Sequence, residues 1–121
     1  MDNFIKLYTD FLNEAESTKG DFKEFSEARL AGATKITESA KEKGGPAMLT
    51  YHHFVVKLPY YKKAAAGKFD LDTFASELDK QMSKLSDGMK GSSVNMKQTD
   101  FQRTMGIIEV LGELIIRHKG E

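Results

Sequence analysis

His52 and His53 are the side chains of this chain best suited to holding a metal or moving a proton, and they stand side by side. On a helix adjacent residues point about 100° apart, and chelation from a single helix needs ligands three or four positions apart. Neither histidine has such a partner, because no acidic residue occurs between Glu42 and Asp70. Glu109 and Glu113 do share a helical face, where two carboxylates could do acid–base or metal chemistry, but Arg117 continues the row and favours a strip of ion pairs at the edge of a bundle. Cysteine is absent, which removes thiol nucleophiles and thiolate metal sites. The serines and threonines join no triad, and Gly88 and Gly91 match neither phosphate-loop spacing. These residues are therefore expected to carry no catalysis and to hold neither metal nor cofactor.

A second set of residues offers binding chemistry instead. The acid-free stretch between Glu42 and Asp70 holds Lys43, Lys57, Lys62, Lys63 and Lys68, in a chain whose 18 basic and 18 acidic residues otherwise cancel. Tyr51, Tyr60 and Tyr61 lie in the same stretch. Lysines can neutralise carboxylates or phosphates, and tyrosines at a bend can anchor or stack. The surface expected to meet a partner is Lys57, Tyr60, Tyr61, Lys62, Lys63 and Lys68, and the expected partner is another protein. Two alternatives use the same region: nucleic-acid binding through residues 57–68, and a small-ligand or nucleotide pocket lined by His52, His53 and the tyrosines. A formal net charge of zero argues against general nucleic-acid binding, which usually shows a basic domain.

The elements that must position these residues read as helices. Phe4, Leu7, Tyr8, Phe11, Leu12 and Ala15 recur at spacings of three and four, giving an amphipathic helix over about Asp2 to Glu16. Asp21 is an N-cap for a second helix with a thin, alanine-rich stripe of Phe22, Phe25, Ala33, Ile36 and Ala40. Gly44, Gly45 and Pro46 end it. From Ala47, the positions of Met48, Tyr51, Phe54, Val55 and Leu58 favour a helix, although Tyr51 to Leu58 also fits a strand. Pro59 either ends that helix near Lys57 or kinks it, so that it resumes through Tyr60 to Ala66. Asp70 caps a fourth helix, with Phe69 and Phe74 placed for a hydrophobic staple and an end near Gly88. Thr99 and Gln102 form a capping-box pattern, and the segment 100–118 is apolar nearly all round, which predicts a buried central helix with Gly106 and Gly112 allowing close approach. The fold class expected is all-α: a single-domain bundle of about five helices, with residues 1–14 as a separable leader or docking helix.

The longest strongly apolar run, Met105 to Ile116, contains Glu109 and Glu113 and falls well short of the roughly 20 residues that a bilayer span requires. No membrane role is expected, and neither is export by a signal peptide. The N-terminus carries one further motif. Phe11-Leu12-Asn13-Glu14-Ala15, closing an amphipathic start, resembles the capsid-targeting leaders of internal head proteins of T-even-type bacteriophages. Those leaders end in Leu or Ile, any residue, then Glu, after which a prohead protease cuts. The resemblance implies cleavage at the positions of Leu12, Glu14 and Ala15 and a role as a head-internal or accessory protein, located in the cytoplasm or the virion. Asp2 departs from it, standing where those leaders carry a basic residue.

Overall fold

The structure, a computed structural model, describes residues 6, 9–13, 20–88 and 97–120. Among the described residues from 20 onward, five helices follow one another: α1 (Phe22–Lys43), α2 (Ala47–Val55), α3 (Leu58–Ala65), α4 (Leu71–Gly88) and α5 (Gln98–Lys119). Residues 9–13 are also helical, and there is no strand among the described residues. The chain is an all-α bundle.

Each helix starts and stops for a local reason. Asp21 accepts the Glu24 N–H at 2.8 Å and so pairs one of the open donors at the start of α1. Gly44, at φ 67°, closes α1 by donating to the Ala40 carbonyl at 3.0 Å. Pro59 has no N–H to offer the Val55 carbonyl and its ring crowds that oxygen, so α2 stops at Val55 and α3 starts at Leu58. Val56 and Lys57 bridge the two helices in right-handed conformation, a tight elbow and no strand. The predicted third helix is thus two. Asp70 caps α4 through the Thr73 N–H at 3.0 Å and through the Thr73 hydroxyl. The staple forms as well, with the Phe69 and Phe74 rings 4.6 Å apart. Before α5 the expected capping box is not built: the helix already includes Gln98, and Lys97 precedes it with no side-chain cap.

α1 packs on α2 and α3, and its Ala33, Ile36 and Ala40 are fully buried. α5 packs on α4 and α2 and touches α3 and α1, burying Val110, Leu111, Leu114 and Ile115. Gly106 sets the distance between α5 and α2, since a Cβ there would stand 2.1 Å from the His53 carbonyl oxygen. Gly112 has no such role, for a Cβ there meets nothing within 4 Å. The burial of α5 is one-sided: Ile116 is 74% exposed. Met82 of α4 is exposed too, although it follows the apolar period of its helix.

Candidate functional site at the α2–α3 elbow

Spacing on α5 decides what fills the elbow. Glu109 and Glu113 lie one turn apart on the same face, and both carboxylates reach across to residues of other helices. Glu109 Oε1 accepts from Lys57 Nζ at 2.6 Å, and its Oε2 stands 3.2 Å from His53 Nε2. An ionised carboxylate only accepts, so the His53 ring is the donor. One turn on, Glu113 takes Arg29 in a fork, from Nε at 2.9 Å and Nη2 at 3.0 Å, and also accepts the Tyr61 hydroxyl at 2.7 Å. The second Arg29 amino group, Nη1, donates to the Phe11 main-chain carbonyl. The Arg29 guanidinium carbon lies 3.5 Å from the Phe11 ring centroid, and Lys57 Nζ lies 4.4 Å from that of Phe54. Two cations and two carboxylates thus form one neutral lattice that ties α1, α2, the elbow, α3 and α5 to residue 11.

Electrostatics shift these groups in different directions. Burial alone would lower the Arg29 pKa, but the hydrogen bonds and charge of Glu113, with Tyr61, outweigh it and raise it. Burial pushes the Tyr61 hydroxyl pKa up, and the neighbouring Glu113 pushes it further. The His53 hydrogen bond and the Lys57 charge hold Glu109 at about 2. Lys57 moves the other way, below the ordinary lysine range, because its desolvation exceeds the attraction of Glu109. The partners differ because Lys57 has no exposed surface, whereas 46% of the Glu109 side chain still meets water. The lysine bears the cost of burial, and the carboxylate keeps the benefit of the pair.

This arrangement corrects the expected contact surface. Lys57 and Tyr61 are both 0% exposed and cannot touch an outside partner. The hydrophobic period of α2 and α3 hides this, because a lysine and a tyrosine hydroxyl can be buried once carboxylates arrive from a distant helix. Tyr60 is half-buried, its ring 5.8 Å from that of Phe74, and burial together with Glu77 raises its pKa. Lys62 and Lys63 on α3 and Lys68 beyond it are exposed. Gly67, at φ 76°, turns the chain so that the Lys68 N–H meets the Lys63 carbonyl at 2.8 Å, which brings the two main chains together. Leu12 is 48% exposed, while Glu14 and Ala15 lie outside the described residues.

The predicted carboxylate strip is also different in kind. Glu113 is committed to Arg29 and Tyr61, and Arg117 donates to the Gly20 carbonyl at 2.9 Å and lies 4.5 Å over the Phe25 ring. His52 and His53 diverge as their adjacency requires: His52 Nδ1 stands 3.3 Å from Arg103 Nη2, and His53 faces Glu109. Tyr61 lines neither of two depressions among the described residues. The depression beside His53, about 290 Å³, is lined by Thr50, Gln102 and Glu109. A wider groove of about 520 Å³ runs along Phe22, Lys23, Gly67, Phe69 and His118, beside Lys68. Among the described residues no three His, Asp or Glu side chains converge on a metal-sized site.

Sequence reasoning missed Arg29, and the signal for it was present. Phe25, Arg29 and Ala33 lie four apart, which puts a charge on the buried stripe of α1 and demands a carboxylate opposite. With this geometry in hand, comparison finds no protein-family model, no curated protein and no solved structure that matches the chain.

Proposed function

We propose that this chain is a non-enzymatic helical protein that works by contact with an acidic protein partner, through an edge formed by Lys62 and Lys63 of α3 and Lys68 beyond it. The observation that carries this reading is the split of the basic segment: Lys57 is spent inside on Glu109, whereas these three lysines stand in water in a stretch with no acidic residue. Long-range attraction to an opposite charge guides encounter and selects partners. Tyr60, half-buried at the same elbow, adds a partly apolar floor. The leader resemblance at Leu12, Glu14 and Ala15 supports a phage head-internal or accessory protein as the setting for that contact.

The test is paired affinity capture with the wild-type chain and with a triple variant, Lys62→Glu, Lys63→Glu and Lys68→Glu. The wild type retains a protein that the variant loses, and added salt weakens its binding. An unchanged set of captured proteins defeats the reading. Wild-type binding to duplex DNA or RNA that falls steeply with salt would transfer the edge to the nucleic-acid alternative.

A further inference from the structure

The groove of about 520 Å³ adjoins the lysine edge through the main chain. Ala64 and Gly67 both line it, Ala64 following Lys63 and Gly67 preceding Lys68. The turn between them is closed twice, by the Gly67 N–H on the Ala64 carbonyl at 3.2 Å and by the Lys68 N–H on the Lys63 carbonyl at 2.8 Å. Two lysines of the edge are therefore anchored at the margin of the groove. Lys23, at the start of α1, lines the groove and is exposed, which adds a further positive charge. Asp21 also lines it and Asp70 follows Phe69, but each is engaged by the helix it caps, Asp21 accepting the Glu24 N–H and Asp70 the Thr73 N–H. The charge offered to a guest is positive, and an anionic guest complements it.

Beyond charge, the groove offers aromatic surface. The rings of Phe69 and His118 lie 4.5 Å apart, those of Phe22 and Phe69 5.0 Å, and those of Phe22 and His118 5.2 Å, and all three residues line it. Ala64, almost wholly buried, adds an apolar methyl. A guest ring can join such a cluster edge to face, a geometry that aliphatic side chains lack. The volume falls within the roughly 300–1,000 Å³ of pockets that hold small organic groups. In protein interfaces, binding energy concentrates in aromatic anchors seated in pockets, while charged groups occupy the rim. We infer that the partner's contact segment is an acidic peptide carrying an aromatic side chain, which enters the groove against Phe22, Phe69 and His118 while its carboxylates meet Lys23, Lys63 and Lys68. This inference rests on reading the lysine edge as a protein contact, and it supplies the apolar anchor that the edge alone does not specify.

Two peptides separate the groove from the edge: Asp-Glu-Asp-Trp-Asp-Glu-Asp, acetylated and amidated, and the same peptide with Ala in place of Trp. Each is titrated into the isotope-labelled full chain and followed by amide chemical shifts. The Trp peptide should bind at least about tenfold tighter and shift Ala64, Gly67, Phe69 and His118. His118→Ala, a change at an exposed side chain, should narrow that ratio severalfold. The triple change of Lys62, Lys63 and Lys68 to Glu should weaken both peptides. Equal binding of the two peptides overturns the groove and leaves the edge standing. A Trp peptide that binds the triple variant as tightly as the wild type overturns the idea that one segment uses both. Binding of neither peptide at millimolar concentration also overturns the inference, while the edge is still judged by affinity capture. Oligothymidylate binding tighter than the Trp peptide, with the same amide shifts, assigns the groove to stacked bases and overturns it too.

Discussion

Lys57 and Arg29 are both buried cations with carboxylate partners, yet breaking the two pairs should have very unequal consequences. Lys57→Met keeps the volume and deletes the desolvation cost, and the Glu109 it leaves behind is half in water and still bonded to His53. Its urea midpoint should correspond to within about 1 kcal/mol of wild type, on either side. Glu113→Gln instead strands Arg29, 2% exposed, without a countercharge, at a cost of about 3–5 kcal/mol. Equal losses for the two variants would contradict the division of cost between them. Acid gives a second check. The folded pKa of Glu109 lies at about 2, below its ordinary value of 4.5. A carboxylate with a depressed folded pKa contributes stability that is complete above the unfolded value and disappears as pH falls through the folded one. The stability gap between wild type and Glu109→Gln should therefore close between about pH 4.5 and pH 2. A gap that stays constant over that window would show that Glu109 is not held ionised by the fold.

At the scale of elements, the two glycines of α5 separate a packing role from a propensity cost. Gly106→Ala forces a methyl into the His53 carbonyl and must displace α2, so a loss of about 2–3 kcal/mol is expected. Gly112→Ala adds a methyl in open space and should stabilise α5 by about 0.5–1 kcal/mol. Thermal unfolding of the two variants should give midpoints on opposite sides of the wild type. The elements were the most legible part of this sequence where local chemistry fixes them: Asp70, Phe69 and Phe74 announce α4, and Gly44 with Pro46 divides α1 from α2. Pro59 announced a break but not its form, because whether two short helices join in a tight elbow depends on what fills the elbow. Thr99 misled, since a capping box is only local and α5 starts two residues earlier, at Gln98.

For the molecule as a whole, the basic segment is divided by the fold into an inner and an outer part, and one-dimensional charge counting could not see the division. The acid-free run from Lys43 to Phe69 is real in sequence, but Glu109 returns to it in space to neutralise Lys57, and Glu113 returns to accept the Tyr61 hydroxyl. A sequence reading locates a charged region well; it cannot say which of its charges are answered from a distant helix. Arg29 makes the same point in reverse, a charge on an apolar stripe that forecasts a carboxylate without naming which one. Of the lysines left outside, Lys62, Lys63 and Lys68 are those the proposed contact depends on. Amine-reactive footprinting of the native chain, read by mass spectrometry, tests that division most directly. Lys62, Lys63 and Lys68 should be modified at the rate of free lysine side chains, while Lys57 stays unmodified until denaturant unfolds the chain; modification of native Lys57 as fast as its three neighbours would contradict the account.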